Sequence, residues 1–95
     1  TIIYWRDIPS QVVVKQGRTS AKKQLNKRFM VAIDRAAMRA GRQGSEEYLE
    51  DWRREIETCK GDPQTIADNT AEELEHRFSD EVLKKLIKNK GLKTT

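Results

Sequence analysis

The spacing of apolar side chains changes at Gly17, and no other feature constrains the fold of this chain as much. Before it, the apolar residues are β-branched or aromatic, Ile2-Ile-Tyr-Trp5 and Val12-Val-Val14, a composition that suits a pleated strand. After it, Leu25, Phe29, Ala32, Ile33, Ala36 and Ala40 recur at three- and four-residue intervals, the repeat of one buried helix face. Between the two apolar runs lies Asp7-Ile-Pro-Ser10. Pro9 pushes Ile8 away from helical angles and supplies turn chemistry, so residues 1–16 read as a β-hairpin with strands near 2–6 and 11–15. Alternation puts Ile3 and Trp5 on one face and Ile2, Tyr4 and Arg6 on the other. A two-stranded hairpin is marginal in water, so it must pack on the rest of the chain.

From Thr19 onward the chain reads as helix. Thr19 or Ser20 caps a first helix that ends at Gly41, spanning 19–41. Met30, Val31, Ala37 and Met38 widen its apolar stripe beyond what a buried face requires. A second helix is expected over 45–60, with Ser45 as cap, Glu46 and Glu47 at its dipole-favoured start, and Leu49, Trp52, Ile56 and Cys59 as its stripe. Asp62-Pro63 is a strong start signal for a third over 62–90, stopped by Gly91. Its stripe runs through Ile66, Thr70, Leu74, Phe78, Val82, Leu83, Leu86 and Ile87. Ser79 could cap a fresh helix, but the spacing passes through it unbroken, which favours one continuous or slightly kinked helix. The final residues from Gly91 are expected to fray. The fold class is α+β, ββααα: a hairpin followed by three helices, or four if the last breaks near 79.

At 95 residues the chain has room for one domain with an ordinary core. Charged residues make up 36 % of it, yet the apolar positions are too well patterned for disorder. The single cysteine, Cys59, excludes an internal disulfide and fits a reducing cytoplasm. No apolar run approaches the roughly 20 residues of a membrane span. The short apolar start, with no basic region before it, is unlike a signal peptide. A nearly complete cytoplasmic protein is the expectation.

The residues that carry chemistry are sparse. His76 and Cys59 are each the only one of their kind, too few for a metal site or a nucleophile pair with a recognisable signature. Carboxylates cluster at Glu46–Asp51 and Glu72–Glu75, the pattern of solvated helix faces. The five glycines are isolated and make no phosphate-binding loop. Catalytic, metal and cofactor-binding residues are therefore not assigned, and the chain reads as a non-enzyme. Trp5 and Trp52 are expected in the core, and His76 on a helix surface. Tyr4, on the opposite hairpin face from Trp5, is the candidate for an exposed aromatic contact.

Charge is the more telling feature. The net +4 hides blocks of +8 over residues 1–43, −9 over 44–81 and +5 over 82–95. Helix dipoles account for Glu46, Glu47 and the last lysines, and for Arg35, Arg39 and Arg42 near a helix end. They do not account for Lys15, Arg18, Lys22, Lys23, Lys27 and Arg28, which stand near a helix start and are the candidate phosphate contacts. The candidate partner-binding residues are Tyr4, Arg6, Arg35, Met38 and Arg39.

Three stretches carry a resemblance to a known family: Ile2-Ile-Tyr-Trp-Arg-Asp-Ile-Pro-Ser-Gln-Val12, Lys22-Lys-Gln-Leu25 and Ala32-Ile-Asp-Arg-Ala-Ala-Met-Arg-Ala-Gly41. Tyr48-Leu49, Trp52-Arg53 and Gly61-Asp-Pro63 extend it over nearly the whole chain. Together they resemble a small bacterial family called simply "virulence factor", related to a segment of a larger protein, conserved virulence factor C. The resemblance implies regulation or assembly through contacts and brings no catalytic residues. It also implies proximity to folate- and corrinoid-dependent methyl transfer.

Three functional readings suit these features. The first is a protein-interaction or scaffold module, an accessory subunit of an enzyme complex. The second is a nucleic-acid-associated regulator using the basic stretch. The third is an accessory protein of one-carbon metabolism. The expected partner is a protein, with nucleic acid or a second copy as alternatives, and no membrane.

Overall fold

The computed structural model describes residues 1–42, 44, 46–58 and 60–93. Among these, four strands and four helices run in the order β1 (Ile2–Trp5), β2 (Ile8–Gln16), β3 (Thr19–Gln24), α1 (Lys27–Arg39), α2 (Glu46–Glu50), β4 (Trp52–Glu55), α3 (Pro63–Arg77) and α4 (Asp80–Lys88). The strands make one antiparallel sheet in the order β3-β2-β1-β4. The α+β class and the N-terminal hairpin are as expected; several boundaries are not.

The β1–β2 turn is Arg6-Asp7, since Trp5 pairs with Ile8. Pro9 and Ser10 lie inside β2, where the register with β1 shifts between Ile3 and Tyr4. That irregularity is where a strand tolerates a residue with no N–H.

Residues 19–24 form a strand where the sequence predicts the start of a helix. Gly17, at φ 60°, and Arg18 make a two-residue turn between Gln16 and Thr19. That turn folds the next six residues back onto the ladder of β2. Ala21 lies opposite Val14, and both are buried. Leu25 joins the core, and α1 begins only after Asn26. The helix repeat from Phe29 onward holds: Phe29, Ala32, Ile33, Ala36 and Ala37 are buried.

The helix expected over 45–60 stops at Glu50 among the described residues, and Trp52–Glu55 pairs with β1 as an edge strand. Its supposed apolar stripe is not a core stripe, because Leu49 and Ile56 are 68 % and 81 % exposed. Trp52 is half-buried, opposite Trp5 across the ladder and edge-on to Tyr48 at 6.1 Å between ring centroids. The open edge of β1 offers unpaired backbone groups, and satisfying them outweighs continuing an isolated helix. Ser45 and Cys59, the expected cap and the last stripe residue, lie outside the described residues.

The last helical stretch breaks. Phe78 leaves helical angles as the C-cap of α3, and Ser79 caps α4 by accepting the Val82 N–H at 3.3 Å. Asp62 caps α3 by accepting the Thr65 N–H at 3.0 Å, with Pro63 in the first turn, as expected. The break lets α4 turn away from α3 and lie along α1, with the Phe78 ring edge-on to Phe29.

Helix α3 packs on β2 and β3, while α1 packs on α4 and β2. Ala67 and Ala71 on α3 are buried, and their small side chains allow close approach to the sheet. Trp5, Ile8, Phe29 and Ile33 have no exposed surface. Each contributes on the order of 1.5–3 kcal/mol by burial. The chain after α4 does not fray at once. The Gly91 carbonyl accepts the Asp7 N–H at 2.9 Å, and the Lys93 N–H donates to Asp7 Oδ2 at 2.7 Å.

Candidate interaction surface

The residues singled out in the sequence fall into three places. The first is an arginine-centred network at the β1–β2 turn. Arg6 adopts φ 55°, a left-handed conformation that costs a non-glycine residue on the order of 1 kcal/mol. Its bonds hold it there. Its N–H donates to the Asp51 carbonyl at 3.0 Å and its Nε to Asp51 Oδ2 at 3.1 Å. Its Nη1 donates to the Lys90 carbonyl at 2.8 Å, and its guanidinium stands 5.2 Å from the centre of the Trp5 ring.

Arg53, on β4, donates Nε to the Arg6 carbonyl at 2.6 Å and pairs with Asp7 at 3.1 Å and Glu55 at 2.7 Å. Its guanidinium covers the Tyr4 ring at 4.3 Å. Tyr4 is therefore not the exposed contact that alternation predicts; it is 7 % exposed. Burial and the neighbouring Glu55 carboxylate push its phenol above the ordinary tyrosine range. The Arg53 hydrogen bond holds the Glu55 carboxyl below its ordinary value. Burial works against the Arg53 charge, and its bonds to Glu55 and Asp7 outweigh that and raise its pKa. Tyr4 and Arg6 are thus engaged within the chain.

The second place is the β2–β3 hairpin. Lys15, Arg18, Lys22 and Lys23 are all exposed there, but not as one surface. Lys15 pairs with Ser20 and Lys22 with Val13, which puts these two lysines on one face; Lys23, opposite Val12, points to the other. The helical arc expected for these residues does not exist, because Lys22 and Lys23 sit on a strand. Arg28 is elsewhere. It donates to the carbonyls of Phe78 and Glu75 at the C-terminal end of α3 and pairs with Asp80 at 3.5 Å. It cements the α3–α4 break.

The third place is the seam between α1 and α4. Lys27, Arg28, Val31 and Arg35 face Asp80, Leu83 and Lys84 across one depression. Arg35, Met38 and Arg39 face Ile87 across the next. Arg35 lines both, so they form one groove, and the two helices run in the same direction along it. Met38 is 60 % and Val31 37 % exposed, while Leu83 and Ile87 are rooted in the core. The floor is apolar and the rims are cationic. Among the described residues lining the groove, Asp80 is the one carboxylate, and Arg28 already holds it. The structure thus brings together Arg35, Met38 and Arg39, and adds Lys27 from the basic stretch. Val31 stands out in the sequence only as a widening of the first helix stripe. Leu83, Lys84 and Ile87 are legible as helix positions but not as neighbours of α1, since a continuous last helix would not lay them there.

Among the described residues, no group of three His, Cys, Asp or Glu side chains is placed to hold a metal. His76 is exposed on α3, and Cys59 lies outside the described residues. No helix among them is long and apolar enough to cross a membrane.

Fold and surface together define a small α+β protein with a basic groove over an apolar floor between α1 and α4. The chain belongs to the virulence factor family, whose model, described as "Virulence factor", matches residues 3–87. No curated protein and no solved structure is significantly similar to it.

Proposed function

We propose that this protein is a non-enzymatic protein-interaction module, a scaffold or accessory subunit that binds its partner through the α1–α4 groove. The observation that carries the reading is the exposure of Met38 and Val31 between Arg35, Arg39 and Lys27. Their helix already buries a full face with Phe29, Ala32, Ile33, Ala36 and Ala37, so stability does not call for the extra apolar positions. Surplus apolar surface rimmed by charge is the usual form of a partner site. The test is affinity capture from the native cell with the wild-type chain and with Met38→Glu. A captured partner should be lost with the variant while the fold, followed by circular dichroism, stays intact. Equal capture by both chains overturns the reading.

A second reading is favoured by the β2–β3 hairpin. No acidic residue occurs between Ile8 and Ile33, and Lys15, Arg18 and Lys22 stand exposed around the tip. Such a tip suits phosphate contacts, and β-ribbons of this kind fit a duplex groove. Binding to a mixed-sequence duplex should then weaken as salt rises and fall further with Lys15→Ala and Lys22→Ala together. No binding at low salt rejects it.

A further inference from the structure

We infer that the occupant of the α1–α4 groove is an acidic amphipathic helix of a partner protein, an inference that rests on the interaction reading above. The shape of the floor comes first. Val31 and Met38 are seven residues apart on α1, two helical turns or about 10.5 Å, with Leu83 beside the first and Ile87 beside the second. A helix laid along the seam presents anchors to this floor at positions i and i+7, with i+3 or i+4 between them. The rims come second. Lys27, Arg35 and Arg39 line the α1 side and Lys84 the α4 side, while Asp80 is held by Arg28 at 3.5 Å.

Carboxylates flanking the apolar stripe of the incoming helix would meet cations on both sides. A basic helix would meet like charge, which disfavours it strongly. A nucleic-acid backbone would satisfy the cations but leave Met38 and Val31 against phosphate and water. The apolar floor therefore selects a protein helix over a polyanion.

The experiment uses the full chain and two synthetic helical peptides of about 20 residues, long enough to span the seam. Both carry leucines at i, i+3 and i+7; one has glutamates beside the stripe and its twin has lysines. The chain is labelled with nitrogen-15 and titrated with each peptide. The acidic peptide should bind at least about tenfold more tightly than its twin and weaken with added salt. Its shift changes should centre on Val31, Arg35, Met38, Lys84 and Ile87. The charge-reversed double variant Arg35→Glu, Arg39→Glu should exchange the order of the two peptides.

Equal binding of the twins, or shift changes that map away from the seam, would overturn the inference. So would concentration-dependent self-association abolished by Met38→Glu, which would make a second copy the occupant. If Met38→Glu abolishes cellular capture but the acidic peptide does not bind, the interaction reading stands and this inference falls. If capture survives Met38→Glu, the interaction reading itself falls.

Discussion

The backbone of Gly91 lies against the six-membered ring of Trp5, so closely that a Cβ at position 91 would come within 2.7 Å of Trp5 Cζ3. Gly91 also adopts φ 88°. It closes α4 by donating its N–H to the Leu86 carbonyl at 2.7 Å, and its own carbonyl takes the Asp7 N–H. One residue thus ends the last helix, covers the largest fully buried side chain and ties the chain's end to its first turn.

Gly91→Ala should destabilise the protein by about 2 kcal/mol or more, since overpacking a filled core commonly costs about 1–3 kcal/mol and the left-handed conformation adds strain. Gly17→Ala is the control. A Cβ there meets nothing within 4 Å, so only the strain of φ 60° remains, about 1 kcal/mol. Urea denaturation of both variants should give the larger loss at 91; equal losses would show that the Trp5 contact is relieved by a small shift.

Arg28 should behave as a structural residue. Removing it with Arg28→Ala leaves the Phe78 and Glu75 carbonyls without their charged donor. The expected cost is about 2 kcal/mol, in the range of hydrogen bonds to charged groups. Duplex affinity should be unchanged by this variant and reduced by the Lys15→Ala, Lys22→Ala pair. The two measurements together separate the stabilising cation from the exposed ones.

Ser79→Ala should cost on the order of 1 kcal/mol through loss of the cap on the Val82 N–H. The loss should appear as faster amide exchange in the first turn of α4, with α3 unaffected. A helix continuous through position 79 would show no such local effect.

The tyrosines make the protein's alkaline limit predictable. Both phenols, Tyr4 and Tyr48, titrate above their ordinary value, burial being the first cause in each; Glu55 adds to it at Tyr4 and Asp34 at Tyr48. A pKa raised in the folded state gives stability that is fully present below the unfolded value, near about 10, and lost as pH rises through the folded value. The chain has no other tyrosine, so absorbance at tyrosinate wavelengths should show both ionisations above about pH 10 in the native protein and near that value in denaturant. Tyr4→Phe should remove one of them and flatten the fall in stability at high pH.

Local signals along the chain were enough for several elements. The β-branched runs made a hairpin, the three- and four-residue repeat from Phe29 made the buried face of α1, and Asp62-Pro63 started α3. Each of these depends on side-chain period or on a single residue's backbone preference. Tertiary structure decided the rest, because it turned on which backbone edge was free to pair. Thr19–Gln24 became a strand only because β2 offered a ladder and Gly17-Arg18 turned the chain back onto it. Trp52–Glu55 became a strand because β1 had an open edge, overriding a stripe of Leu49, Trp52 and Ile56 that mimicked a helix. Tyr4 was buried by Arg53, a residue far away in the chain, which no alternation rule could foresee. The same holds for the groove: Arg35, Met38 and Arg39 could be chosen from α1 alone, but their facing wall of Leu83, Lys84 and Ile87 exists only because Ser79 breaks the last helix and lays α4 alongside.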